Sequence, residues 1–422
     1  MEKLTVADKI KARKIKRPGF MYGLLGWVWK TFVYKKYNVS CNINCDIKKE
    51  KRPYIFISNH ASRLDYIFTG VPLLPQKLNY VAGYNEFHRS HLAGVFKLLK
   101  VIPKKNFTPD AYAIKEITRV IKSGGRIVIF PEGMSSISGA NQPVALGTGK
   151  FIKHFKLPVY YSVIKGGYLT SPKYNLNDRC GKIEVEINKM FEPEDLDNLS
   201  PEQIEDEINQ KIYHDDYEWN LEKQYKFNIG DNGIEHLEDL LFWCPKCNKK
   251  HTMSTSGNTI TCSACGNSAT MDETYKLTPI ENSVIPRTQT AWFNMQRNVI
   301  REEVKKDGYS LSAFVKLGTL PKYEMLKNQR TSIITGEGLL TLDKTGLSFK
   351  GTNEGSPFEF FIDIKNLPTY GMCTDVSRFY TFVNGEFVEF YPEQNVVEEF
   401  FIATEELHRQ NGGKWLDFKF EK

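Results

Sequence analysis

The sequence predicts an α/β sandwich followed by a cysteine-rich module and a small mostly β domain, and three observations carry that prediction. Residues 50 to 190 alternate strand-like and helix-like runs; two CxxC pairs stand fourteen residues apart within 241 to 270; and from 331 onward short apolar runs are separated by turns rich in Gly, Asp and Asn. At 422 residues the chain can bury one large core and one or two smaller ones. The expected division is 1 to 40, 41 to 225, 226 to 280, 281 to 330 and 331 to 422.

The first segment is basic and aromatic. Lys3, Lys9, Lys11, Arg13, Lys14, Lys16 and Arg17 stand against Glu2 and Asp8, and the run Phe20 to Trp29 is bordered by lysines at 30, 35 and 36. No run reaches the roughly eighteen apolar residues of a spanning helix. Tryptophans, tyrosine and lysines together fit a segment lying in a headgroup layer; a helix packed on the protein's own core is the other reading. The net charge of +7 is lopsided, because residues 192 to 222 hold twelve Asp/Glu against Lys211 alone. That polarity suits an anionic membrane surface, and no nucleic-acid partner is expected.

Next come a strand at 54 to 57, a helix from 65 to 71, a strand at 78 to 82, and helices at 91 to 99 and 110 to 122, the last stopped by Gly124 and Gly125. A strand at 126 to 130, a helix at 145 to 156 and strands at 158 to 164 and 182 to 187 follow. One helix is expected over 201 to 224, with Ile204, Ile208 and Ile212 as its apolar stripe. Residues 281 to 330 read as a helical connector, with a helix at 289 to 306. Runs at 338 to 342, 346 to 349 and 358 to 361 read as strands of a small β-rich domain, for which a pleckstrin-like fold is the expectation.

Four of eight cysteines, Cys41, Cys45, Cys180 and Cys373, are scattered. Without a signal peptide this is the usage of a reducing compartment, so a cytoplasmic protein, peripheral on the inner face of the cell membrane, is expected. The others, Cys244, Cys247, Cys262 and Cys265, can close a tetrahedron about one zinc ion from two tight turns. Four sulfurs leave no open position for water or substrate, so the metal is expected to be structural and the module a zinc ribbon. Redox chemistry at a single CxxC and nucleic-acid binding by the ribbon are the competing readings.

Two polar motifs end buried apolar runs. Asn59-His60-Ala61-Ser62-Arg63-Leu64-Asp65 follows Tyr54-Ile55-Phe56-Ile57, and Phe130-Pro131-Glu132-Gly133 follows Ile127-Val128-Ile129. Both belong on one rim of a sheet. A carboxylate five residues after a histidine can hold the imidazole in the tautomer that offers its other nitrogen as a base. Ser62 lies between the two, but no nucleophile elbow accompanies it, so attack by an activated substrate hydroxyl is preferred to an acyl-serine.

These motifs resemble the glycerophospholipid acyltransferase family, of the 1-acylglycerol-3-phosphate acyltransferase type, whose signature is NHxSxxD followed by FPEG. Their spacing is family-like, and Leu157-Pro158-Val159 corresponds to a further family block. The resemblance covers about residues 15 to 225. It implies an acyltransferase-type α/β sandwich, His60 as general base, Asp65 as its orienting carboxylate, and Asn59, Ser62 and Arg63 in the substrate site. It further implies a contact from Glu132 to the acceptor's glycerol region, close backbone approach at Gly133, and Lys104 or Lys105 in place of the family's phosphate-binding arginine.

After FPEG the family's Thr-Arg-Ser is replaced by Met134-Ser135-Ser136, removing a second arginine. Arg63, Lys97 or Lys100 are the alternative sources of charge. The implied reaction moves a fatty acyl group from acyl-CoA or acyl carrier protein to the hydroxyl of a lysophospholipid, with 1-acylglycerol-3-phosphate among the acceptors. A non-catalytic membrane adaptor and a zinc-ribbon binding protein are the alternatives.

Overall fold

Parallel strands must be covered on both faces, and the most apolar runs of this chain meet that demand. The computed structural model describes residues 3–372 and 375–413; Cys373 and the last part of the expected β-rich domain, 414–422, lie outside the described residues. The elements in order are α1 Val6–Lys11, α2 Met21–Lys36, β1 Val39–Ile43, β2 Ile55–Ser58, α3 Asp65–Gly70, β3 Asn79–Gly83, α4 Ser90–Leu98, β4 Ile102–Lys104, α5 Ala111–Lys122, β5 Ile127–Ile129, α6 Thr148–Phe155, β6 Val159–Lys165 and β7 Ile183–Phe191. They continue with α7 Pro201–Ile212, α8 Asp216–Lys223, α9 Leu237–Leu240, β8 Met253–Ser256, β9 Thr259–Cys262, β10 Ser268–Met271, β11 Leu277–Pro279 and α10 Gln289–Glu303. The chain closes with β12 Ser310–Thr319, β13 Ile333–Asp343, β14 Gly346–Asn353, β15 Ser356–Asp363, β16 Phe379–Val383, β17 Glu386–Pro392 and α11 Val397–Gln410.

The first sheet runs β1-β7-β6-β2-β5-β3-β4, parallel throughout except between β6 and β7. Its central strand β2 alternates strictly. Ile55 and Ile57 face a layer that includes Ile152 of α6 and Ile204, Ile208 and Ile212 of α7, while Phe56 faces the layer holding Tyr22 and Phe68 of α2 and α3. The isoleucine stripe therefore packs across the sheet, as its spacing predicts.

The expected single helix over 201 to 224 is two. Ser200 and Gln203 form a capping box that starts α7 with Pro201 at its first turn, and Asp215 caps Tyr217 and Glu218 to start α8 afresh. Strands β1 and β4 are additions to the expected set. Each is short and carries polar or proline residues, so neither shows a clean apolar run.

Residues 281 to 330 are not only a helical connector: β12 lies within them and pairs with β13 and β17. The third sheet is antiparallel, ordered β15-β14-β13-β12-β17-β16. Nor is the C-terminal region strand alone, because α11 covers it. Helix α11 buries Glu398, Glu399, Glu405 and Glu406 along with its apolar residues, which hides its amphipathic period from a polar/apolar reading. Three of those carboxylates are received by bases: Arg297 meets Glu405 at 2.6 Å, Arg301 meets Glu406 at 2.8 Å, and Lys250 and His251 each meet Glu399 at 2.6 Å, whereas Glu398 has no hydrogen-bond partner among the described residues and burial pushes its carboxyl up.

The loops beyond the first sheet share a core with the later units, while the strands of that sheet pack in clusters of their own. One buried apolar cluster runs from Met134 and Tyr168 through Phe242 and Trp292 to Phe400 and Leu407. The Trp292 indole N–H, fully buried in α10, donates to the Trp243 carbonyl at 2.8 Å. No helix among the described residues is long and apolar enough to cross a membrane. Helix α2 has one face packed on the protein and one exposed. Gly26 lies against Leu74 and Trp29 makes an edge contact with Tyr66, while Phe20 and Trp27 are 79% and 61% exposed beside exposed Leu24.

Candidate active site and cysteine cluster

Both polar motifs leave the carboxyl ends of adjacent parallel strands, β2 and β5, at the centre of the sheet. His60 Nδ1 lies 2.8 Å from Asp65 Oδ2. Asp65 is itself fixed: the Ser62 backbone N–H donates to both carboxylate oxygens at 3.0 and 2.9 Å, and the Ser62 hydroxyl donates to Oδ1 at 2.7 Å. A carboxylate only accepts, so the imidazole proton belongs on Nδ1 and Nε2 keeps its lone pair. The carboxylate side chain is 1% exposed and the imidazole 26%, so the orienting group is sealed and the ring reaches solvent.

The histidine backbone is pinned from both sides. Its N–H donates to Glu132 Oε1 at 2.8 Å, its carbonyl accepts from the Ser136 N–H at 2.7 Å, and its ring lies 4.7 Å from the Phe130 ring. Sequence reasoning gave Glu132 to the acceptor. In the structure it is buried, and its oxygens are taken by His60, by the Asn141 amide at 2.8 Å and by the Gln142 N–H at 3.0 Å. Its direct partners are thus the two loops of the site. Burial pushes its carboxyl up to about 8, against the pull of those three donors, with neighbouring Asp65 adding to the rise.

Asn59 also turns inward. Its amide donates to the Ile164 carbonyl at 2.9 Å and accepts from the Ile164 N–H at 2.7 Å, clamping the histidine loop to β6. Gly133 adopts φ +84°, and a Cβ there would stand 2.9 Å from the Phe107 ring, so only glycine fits the turn. Its carbonyl accepts from Asn106 Nδ2 at 2.7 Å.

The expected cations are mostly engaged. Arg63 donates to Ser171 Oγ at 2.8 Å and to the Leu176 carbonyl at 3.1 Å. Lys104 donates to the Lys105 carbonyl at 2.9 Å, and burial lowers its pKa. Lys105 donates to the Gly385 carbonyl. Lys97 is exposed on α4, and Lys100 follows that helix with φ 54°. Met134 and Ser136 are buried, so the departure after FPEG turns into the core.

Asn106, Phe107, Asn141 and Gln142 are the site's supports that the sequence reading passed over. Asn141 and Gln142 sit nine and ten residues after the glutamate, a polar pair in a loop with no motif of its own.

Residues 39–165 match the family model described as Acyltransferase. Among curated proteins, the 1-acyl-sn-glycerol-3-phosphate acyltransferase of Cocos nucifera is 32% identical over 154 residues, 36% of this chain and 48% of that protein. The enzyme of the same name from Bacillus subtilis (strain 168) is 21% identical over 163 residues, 38% of this chain and 79% of that protein. The chain thus spans about half the length of the coconut relative. A crystal structure of the 1-acyl-sn-glycerophosphate (LPA) acyltransferase, PlsC, from Thermotoga maritima is similar at a TM-score of 0.38 and 17% identity, covering 46% of this chain and 75% of that one. The segment that matches the family model contains both motifs of the candidate site.

Downstream of it, the sulfurs of Cys244, Cys247, Cys262 and Cys265 lie within 4.8 Å of one another. Two of the separations, Cys244 to Cys265 and Cys247 to Cys262, are 3.7 and 3.8 Å. A tetrahedron with zinc–sulfur bonds of about 2.3 Å has edges of roughly 3.8 Å, so these residues fit the metal. Each pair rides a tight turn, closed by Asn248 N–H to the Cys244 carbonyl and Gly266 N–H to the Cys262 carbonyl, both at 2.9 Å. The second pair stands beside the four-stranded antiparallel sheet β11-β10-β9-β8.

Proposed function

We propose that this chain transfers a fatty acyl group from a thioester, on coenzyme A or acyl carrier protein, to the hydroxyl of a lysophospholipid. The observation that carries this reading is the oriented His60, with Nδ1 against a sealed Asp65 and its ring open to solvent. Nε2 takes the proton of the acceptor hydroxyl as the oxygen attacks the thioester carbonyl. The resulting imidazolium is stabilised by Asp65. Collapse of the tetrahedral intermediate breaks the carbon–sulfur bond, the proton passes from His60 to the departing sulfur, and an ester and a free thiol leave.

Asn59, Ser62 and Glu132 act in this scheme by holding the histidine loop, with Gly133 giving the turn its shape. The names of both curated relatives support a glycerol-phosphate acceptor, 1-acyl-sn-glycerol-3-phosphate, as the first to try. Engagement of Lys104, and the absence of an arginine after FPEG, support acceptors with a larger head group alongside it. Arg63 is the exposed cation nearest to the histidine in sequence.

The outer face of α2, with Phe20, Leu24, Trp27 and the flanking lysines, supports peripheral attachment to the inner face of the cell membrane, where a lysolipid is found. We read 1 to 40 as the interface segment, 41 to 225 as the acyltransferase domain, 226 to 280 as a zinc ribbon held by one structural ion, and the remainder as a β-rich domain. Mass spectrometry of lipids formed from a thioester and a panel of lysophospholipids checks the reaction: a diacyl product that depends on both substrates is expected. Thioester hydrolysis with no acylated lipid overturns it.

A further inference from the structure

The candidate site has a neighbour from the far end of the chain. Strands β16 and β17 form a hairpin whose turn, Asn384-Gly385, has both residues at positive φ, 52° and 81°, as the tight two-residue turn demands. The Gly385 carbonyl accepts from the Lys105 ammonium, which also lies 5.4 Å from the Tyr84 ring centre and 5.7 Å from that of Phe382. One residue on, Asn106 Nδ2 stands between two oxygens, the Gly133 carbonyl at 2.7 Å and the Tyr380 hydroxyl at 3.4 Å. The next residue, Phe107, covers Gly133. Three consecutive residues thus join the hairpin to the FPEG turn.

The union is a packed one. Tyr380, Phe382 and Phe387 form a buried aromatic cluster against Tyr84 and Leu320. The segment leading to it is stitched to the part of the chain that matches the family model as well: Leu326 N–H donates to the His88 carbonyl at 2.7 Å, and Ser90 N–H to the Leu326 carbonyl at 2.9 Å.

We propose that the β16–β17 hairpin is a positioning element of the acceptor pocket, holding Lys105 and Asn106 against the FPEG turn so that the C-terminal domain tunes which lysophospholipid the His60 site accepts. This rests on the acyl-transfer reading and on Lys105 standing near the acceptor's head group. The ammonium is held by one carbonyl and two ring faces and forms no salt bridge among the described residues, the nearby Asp110 carboxylate accepting from the Lys105 backbone N–H instead, so an incoming phosphate meets a cation already oriented. Preorganising one cation from a rigid turn raises affinity for the anion by limiting what must be ordered on binding. The hairpin affects acceptor binding, and the donor thioester is indifferent to it.

The test is steady-state kinetics of the full-length protein, with acceptor and thioester varied separately. Phe382→Leu keeps apolar volume and removes one ring face; Tyr380→Phe removes one hydroxyl. Both are expected to raise the acceptor KM, the former by about three- to thirtyfold, with thioester KM unchanged. In a Lys105→Met background, Phe382→Leu is expected to add nothing further, because it acts through that lysine. Phe382→Tyr restores the ring and the wild-type acceptor KM.

Equal rises in both KM values, or an unchanged acceptor KM in Phe382→Leu and Tyr380→Phe alike, overturn the proposal, as does full additivity with Lys105→Met. If Phe382→Leu does not fold, Tyr380→Phe decides. A wild-type protein that acylates no lysophospholipid sinks the underlying reading; an active wild type with indifferent variants sinks only the hairpin's part.

Discussion

At the scale of single residues, the site is a set of short polar groups whose neighbours leave them few choices. Glu132 is the clearest case, since its carboxyl is sealed beside Asp65 and yet gathers three N–H groups from two loops. Its pKa in the fold, about 8, lies above the ordinary 4.5. Between those values the folded protein keeps a proton that the unfolded chain releases, so its contribution to stability is full below about pH 4.5 and is lost as pH rises toward about 8. Urea midpoints measured from pH 5 to 8 should therefore fall more steeply for the wild type than for Glu132→Gln, which cannot ionise. The same slope in both would show that Glu132 is already ionised across this range.

His60, Asp65 and the FPEG turn were legible in the sequence because their spacing is local and sits at strand ends. Glu132 is legible in its motif, but the partners that bury it are not. What holds it comes from residues nine and ten positions later, and nothing in a linear pattern says that a loop will fold back over a carboxylate.

At the scale of elements, the cysteine cluster shows how a pattern specifies geometry. Two knuckle turns bring four sulfurs within 4.8 Å of one another, two of the separations at the edge length of a zinc–thiolate tetrahedron, and four sulfurs would close the coordination shell. The adjoining Lys250 and His251 bind Glu399 of α11, so order in this module is passed to the C-terminal helix through buried charge. We expect one zinc per chain by elemental analysis, and chelation or Cys262→Ser to lower the melting temperature and expose α11 to hydrogen exchange. Retention of the full melting temperature after complete metal removal would contradict a structural role.

Other elements were less legible. Helix α11 escaped notice because four of its buried residues are glutamates, three of which, Glu399, Glu405 and Glu406, meet Lys250, Arg297 and Arg301 only in three dimensions. The break between α7 and α8 is a capping event at Asp215, invisible to a count of polar and apolar positions.

At the scale of the whole molecule, one buried apolar cluster joins the loops beyond the α/β sheet to the cysteine module and the C-terminal sheet, while the strands of the α/β sheet pack in clusters of their own. The order of units along the chain followed from composition and periodicity. Their mutual packing did not, because contacts such as Lys105 with Gly385 span 280 residues and leave no trace in either local sequence. Helix α2 leaves Leu24 and Trp27 exposed beside Phe20, and the hairpin β16–β17 brings a distant part of the chain to Lys105 and Asn106. These features have a common purpose only if the imidazole of His60 removes a proton from a lipid hydroxyl.

Single-turnover release of free thiol from an acyl thioester, with and without lysophospholipid in vesicles, tests that most directly. Acceptor-dependent release should fall by about 10²- to 10⁴-fold in His60→Ala, and substantially in Asp65→Asn, with both variants folded and still bound to vesicles. Equal acceptor-dependent release from the wild type and His60→Ala would contradict the account at its centre.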